Sequence, residues 1–146
     1  MTKAIYFDMD GTIANFYGVE NWLEYLQNEN TFPYENALPL LKFSSLARIL
    51  NNLQKKGWTI GIISWLAKNS SENYDLEVTK AKINWLKSHL ASVNFDEIKI
   101  VKYGTPKEKV VNFPNGILFD DEIQNRENWI GKAFDETEIL TVLKAL

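Results

Sequence analysis

The 146-residue chain is 45% hydrophobic, enough for one ordinary globular core, and it is expected to form a single domain over residues 1–146. With no cysteine and a single histidine it excludes disulfides, thiolate ligands, cysteine nucleophiles and multi-histidine centres, so any metal is expected to be held by oxygen. A net charge of −3 argues against broad attachment to nucleic acid or membrane, and the lack of a signal-peptide pattern or a run near the roughly 20 apolar residues of a bilayer span predicts a cytoplasmic protein.

Ala4 to Phe7 reads as a buried strand that runs into Phe7-Asp8-Met9-Asp10-Gly11-Thr12. The strand period puts the Asp8 and Asp10 side chains on one side, and Gly11 allows a sharp turn without a Cβ clash. Two carboxylates held this close repel, so the run predicts a divalent cation between them and suggests a nucleophile. Asn15 to Leu41 reads as a small insertion, rich in aromatics (Phe16, Tyr17, Trp22, Tyr25, Phe32, Tyr34) and broken by Gly18, Pro33 and Pro39. These rings either pack the insertion onto the domain or wall a ligand crevice, because loops at the carboxyl ends of parallel strands border such crevices.

Leu46, Ile49, Leu50 and Leu53 keep the spacing of one helix face, with Ser44 or Ser45 before and Gly57 after as caps. Thr59 to Ser64 is a second strand, ending on a hydroxyl that can donate to a phosphoryl oxygen or cap the next helix. That helix is predicted from about Ser71 to Leu90, with Leu76, Ile83, Leu86 and Leu90 inward and His89 on the surface. After a third strand, Glu97 to Val101, the run Thr105-Pro106-Lys107-Glu108 reads as an N-cap, a proline at the first helical position and a capping-box glutamate. Lys107 would then sit where backbone N–H groups already favour anions, with Lys102 and Lys109 competing for the role. A fourth strand, Ile117 to Asp120, ends on the adjacent carboxylates Asp120 and Asp121, which need a cation or a basic partner. Lys132 to Phe134 is the last strand, and Asp135 to Glu138 a capping box opening a helix with Ile139, Val142, Leu143 and Leu146. This alternation predicts an α/β fold with a parallel sheet.

In chain order, Asp8 and Asp10, then Ser64, then Lys107, then Asp120-Asp121 resemble the four motifs of the haloacid dehalogenase superfamily, over nearly the whole length. The resemblance implies a Rossmann-like, three-layer parallel sheet and a magnesium-dependent phosphatase working through an aspartyl phosphate. It implies Asp8 as nucleophile, Asp10 as acid and then base, and Ser64 and Lys107 on the phosphoryl group. Magnesium would be held by Asp8, the backbone carbonyl of Asp10 and Asp121, with Asp120 behind them. Between Ser64 and Lys107 there is room for one helix and one strand, so the cap is expected to be minimal or absent. The opening Phe7 to Phe16, with Ala14-Asn15-Phe16 after Thr12-Ile13, is similar to the start of 5'(3')-deoxyribonucleotidases. Gly104 to Lys107, Asp120 to Glu122 and Asn125 to Trp129 resemble the phosphatase domain of phage-type polynucleotide kinase-phosphatases, although Glu122 stands where an arginine commonly follows the paired aspartates. Arg126 is expected either to contact substrate or to pair with Glu122. The implied substrate is a small phosphorylated molecule, a (deoxy)nucleoside monophosphate for a 5'-nucleotidase. A 3'-phosphatase on nucleic-acid ends and a non-catalytic phosphoacceptor or binding domain are the alternatives.

Overall fold

The computed structural model describes residues 2–146. Five parallel strands form one sheet in the order β3-β2-β1-β4-β5: β1 Ala4–Phe7, β2 Thr59–Trp65, β3 Glu97–Val101, β4 Ile117–Phe119 and β5 Ala133–Phe134. β1 is buried along its whole length and pairs with β2 on one side (Phe7 beside Ile62) and β4 on the other (Phe7 beside Phe119). A central parallel strand covered on both faces reads as an unbroken apolar run, as Ala-Ile-Tyr-Phe does.

One face of the sheet presents Ile5, Phe7, Ile60, Ile62, Ile117 and Phe119 to the helices α3 (Phe43–Lys55), α4 (Glu72–His89) and α6 (Ile139–Lys144). On the other face, Ala4, Tyr6, Ile63 and Leu118 are covered by Val111 and by Trp129, which follows α5 (Ile123–Asn128). The result is the three-layer α/β architecture expected of a Rossmann-like sheet. Gly61 has no Cβ because the Tyr6 ring occupies that space. The ring lies across β2, and its hydroxyl donates to Glu97 Oε2 on β3 at 2.6 Å. Asn112 N donates to Glu97 Oε1 and Phe113 N to the Tyr6 hydroxyl, so this buried cluster is closed by neutral donors.

The insertion folds as a single 3₁₀ turn, Phe16–Gly18, followed by the short helices α1 (Trp22–Gln27) and α2 (Phe32–Asn36). Phe16 and Tyr34 are buried against Tyr74, Val78 and Ala81 of α4. The Tyr74 hydroxyl donates to Asn30 O, and Glu29 accepts from both the backbone N–H and the hydroxyl of Ser71, which ties the insertion to the start of α4.

Several expectations about elements need correction. Ser44 and Ser45 lie inside α3, which starts at Phe43 without a side-chain cap, while Gly57, in the left-handed region at φ 91°, does follow its end. The inward face of α4 is rotated from the one expected: Leu86 and Leu90 are buried as expected, but Ile83 is only half-buried and Leu76 faces out. Leu76 is 65% exposed, and the buried stripe is Tyr74, Val78, Ala81, Lys82, Trp85 and Leu86. The aromatic insertion is the reason, since it offers α4 a second apolar surface for which rings and small residues suit better than Leu76. Ser71 does cap α4, accepting from Tyr74 N, and His89 is exposed. The Asp135 side chain accepts from Thr137 N, while Glu138 N goes to the Asp135 backbone carbonyl, opening a 3₁₀ turn before α6 in place of a capping box. Among the described residues no helix is long and apolar enough to cross a membrane.

Candidate active site

The carboxyl ends of β1, β2 and β4 lie side by side, so the last residues of β2 and the loops after β1 and β4 carry Ser64, Asp8, Asp10, Asp120 and Asp121 to one end of the sheet. Lys107 arrives from the loop after β3, with its Nζ donating to Asp8 Oδ1 at 2.9 Å and to Asp120 Oδ2 at 2.7 Å. The helix expected at Lys107 is only a 3₁₀ turn, Lys107–Lys109, preceded by Pro106 and without a side-chain cap; Thr105 Oγ1 donates back to Lys102 O. The lysine is therefore held by its carboxylates rather than by a helix terminus. Burial works against its charge, but Asp8 and Asp120 outweigh that and raise its pKa. Lys102 and Lys109 are exposed and take no part in these bonds.

Asp120 is fully buried, and its carboxylate also accepts from Asn125 Nδ2 at 3.2 Å and Glu122 N at 2.9 Å. Arg126 does not pair with Glu122; its Nη1 donates to the backbone carbonyl of Asp120 at 3.0 Å, which fixes the end of β4. Asp121 has fewer donors. Thr12 Oγ1 lies 2.9 Å from Asp8 Oδ2 and 3.2 Å from Asp121 Oδ1, and also accepts from Asp121 N at 3.1 Å. Gly11, at φ 83°, leaves room for this approach, because a Cβ there would collide with the Asp121 carboxylate.

That donor count is the test of whether a cation fits. One hydroxyl proton cannot serve both Asp8 and Asp121, and Lys107 balances only one of the three carboxylates of Asp8, Asp120 and Asp121, whose oxygens lie within 4.8 Å of one another. Burial, followed by the charge of Asp8, pushes Asp120 up to about 7 and Asp121 up to about 8. An all-oxygen anionic set of this kind fits a hard divalent cation, and Asp121, with only the shared Thr12 hydroxyl, is the least neutralised of the three.

Asp10 turns away from this trio. Its Oδ2 accepts from Lys82 Nζ at 3.0 Å, and Lys82 also donates to Ser64 Oγ at 2.7 Å and Trp65 O at 2.7 Å. Burial raises the Asp10 pKa, with the Lys82 charge working in the opposite direction. Ser64 is 0% exposed and lies behind the site, while Asp8 and Asp10 line a cavity of about 280 Å³. Two aromatic pairs wall it: Tyr17 with Trp22 from the insertion, centroids 4.9 Å apart, and Trp65 with Tyr103, also 4.9 Å apart. Trp65 Nε1 donates to Thr105 O, and Lys68 Nζ stands 5.9 Å from the Tyr103 ring at the rim. The insertion's rings thus divide, some packing the fold and some facing the cavity. Larger hollows of about 520 Å³ near the C-terminus and about 410 Å³ between α2 and α4 hold no metal-binding carboxylate cluster among the described residues.

Lys82, Trp65 and Tyr103 escape a reading of motifs, and Asn125 enters it only as part of the stretch Asn125 to Trp129, without a role. The one legible signal was Lys82 within the spacing Val78, Ala81, Trp85, a charge on an apolar stripe, and a face centred on Leu76 and Ile83 hides it. The chain matches no protein-family model and no curated protein.

Proposed function

We propose that the chain is a magnesium-dependent phosphomonoester hydrolase acting on nucleoside monophosphates. The observation that carries this reading is the buried Lys107 shared by Asp8 and Asp120, all three lining a cavity with aromatic walls, beside the under-neutralised Asp121. A carboxylate on Asp8 attacks phosphorus as the bond to the leaving alkoxide breaks, giving an acyl phosphate and splitting hydrolysis into two steps. Asp10 gives its proton to the alkoxide, then takes one from the water that attacks phosphorus and frees phosphate and Asp8. Its raised pKa supports the donor role. Lys107 offsets the charge of nucleophile and phosphate together. Magnesium, held by Asp8, Asp121 and the carbonyl of Asp10, would neutralise charge on the phosphoryl oxygens. Asp120, engaged by Lys107, Asn125 and Glu122 N, keeps Lys107 in place.

Asp8→Asn is expected to lower turnover of p-nitrophenyl phosphate and of deoxynucleoside monophosphates by ~10⁴-fold or more, as loss of a nucleophile does. Unchanged hydrolysis would end the mechanism. A second reading, removal of 3'-phosphates from nucleic-acid ends, is favoured by the exposed Lys68 and Lys102 beside the cavity mouth. Release of phosphate from 3'-phosphorylated oligonucleotides in preference to mononucleotides would select it. A stable phospho-aspartate that never turns over would instead assign a phosphoacceptor domain.

A further inference from the structure

We propose that Lys82 is the positioning residue for Asp10, fixing the carboxyl that moves the proton without itself touching substrate. The inference rests on the reading of the previous section. Lys82 is 1% exposed and does not line the cavity, whereas the Asp10 side chain is 19% exposed and does. An ammonium has three protons, and all three are placed. Two go to the end of β2, to Ser64 Oγ and Trp65 O, and the third crosses to Asp10 Oδ2 in the loop after β1. The head also lies 5.2 Å from the Tyr34 ring centroid. Two contacts thus anchor the ammonium to the sheet and one holds Asp10. Asp10 Oδ1 makes no side-chain hydrogen bond among the described residues, and the Asp10 side chain lines the cavity. This division suits an acid whose working oxygen must meet a leaving group at a set place, since small misplacements of a reacting group are costly.

A purely structural residue at this position would be expected to resemble its neighbours Val78, Ala81 and Trp85. Replacing a buried ion pair by apolar groups is commonly neutral or stabilising, so packing alone does not call for a lysine here. Ser64 Oγ, accepting from Lys82 Nζ, is part of the seat that holds Lys82.

The test separates positioning from bulk stability by the leaving group. p-Nitrophenolate departs without a proton and a nucleoside alkoxide does not, so kcat/KM for the two esters depends differently on Asp10. Lys82→Met is expected to lower kcat/KM for a deoxynucleoside 5'-monophosphate by ~100-fold, in the range of a lost general acid, and for p-nitrophenyl phosphate by less than ~5-fold. Placed on Asp10→Asn, the same change is expected to cost less than ~2-fold more, because its effect runs through Asp10. That double variant leaves neither charge buried alone, so it decides the matter even if Lys82→Met does not fold. Inorganic phosphate, titrated calorimetrically with magnesium, is expected to bind the folded variants within ~2-fold of their parents. Equal losses on both esters, a further large loss on the Asp10→Asn background, or weakened phosphate binding each overturn the positioning role while leaving the phosphatase reading intact. A wild-type protein inactive on both esters overturns that reading and this inference with it.

Discussion

Two buried polar clusters share strand β1 and differ in how fully they are satisfied. Behind the sheet, Tyr6 and Glu97 are closed by neutral donors: the Tyr6 hydroxyl, Asn112 N and Phe113 N account for the carboxylate and the phenol. Two residues further along the chain, Asp8 joins Asp120 and Asp121 around one lysine and one threonine hydroxyl, too few donors for three carboxylates. The first cluster joins β1 to β3 and needs nothing more. The second carries charge the protein does not balance, and it opens onto a cavity. A satisfied buried network builds the fold, whereas an unsatisfied one stores electrostatic energy that a ligand can release.

The largest expected effect breaks the second cluster. Lys107→Met leaves Asp8 and Asp120 buried without their cation, and removing one partner of a buried pair costs about 3–5 kcal/mol. Chemical denaturation of the metal-free protein is expected to show that loss near neutral pH and a smaller one in acid, where the carboxyls are protonated. A loss no greater than that of a surface lysine would mean that the cluster is already balanced, as the Tyr6 cluster is.

The charge imbalance also sets a pH dependence. Asp120 and Asp121 are pushed up to about 7 and about 8, burial coming first and the Asp8 charge second. A carboxyl whose folded pKa is raised binds its proton more tightly in the folded state. Its contribution is complete below the unfolded carboxylate range and is lost as pH rises through about 7 to 8. The melting temperature of the metal-free protein is therefore expected to fall across that window. Asp121→Asn, with no proton to lose there, is expected to flatten the slope and raise the midpoint at about pH 8 by ~3 °C. Magnesium should flatten it in the wild type. An unchanged slope in the variant would place the titration elsewhere.

Breaking the closed cluster should cost less and leave chemistry alone. Tyr6→Phe removes one donor to Glu97 and is expected to destabilise by about 1–2 kcal/mol, with kcat/KM of the folded protein unchanged. A large fall in kcat/KM at normal stability would show that the two clusters are coupled along β1.

What could be read from the chain follows the same division. Apolar runs mark β1, β2 and β4 to within a residue and the alternation Glu97-Ile98-Lys99-Ile100 marks β3, while the carboxylates at strand ends announce themselves because a turn after a buried strand has little other use for them. Lys107 was legible as a residue, but its setting was not, because Thr105-Pro106-Lys107-Glu108 satisfies helix-start rules in a loop where ion pairs take over. Lys82 and Asn125 depend on which helix face turns inward, and tertiary packing of the aromatic insertion decided that for α4. The partner of Ser64 is likewise supplied by Lys82 from a distant element.

The smallest expected effect sharpens the comparison at the cavity wall. Trp65 and Tyr103 pack against each other at 57°, but only Trp65 is tethered, through its Nε1 to Thr105 O. Tyr103 is half exposed and gives the wall a face on which a nucleobase can stack, worth about 1 kcal/mol in a well-formed aromatic pair. Tyr103→Ala is expected to raise KM for a deoxynucleoside monophosphate by ~5-fold at constant kcat, with stability within ~0.5 kcal/mol of the wild type. Glycerol phosphate, which has no ring, should show no change. A KM that rises equally for both substrates would make Tyr103 a packing residue, and the cavity wall would then be as closed in function as the Tyr6 cluster behind the sheet.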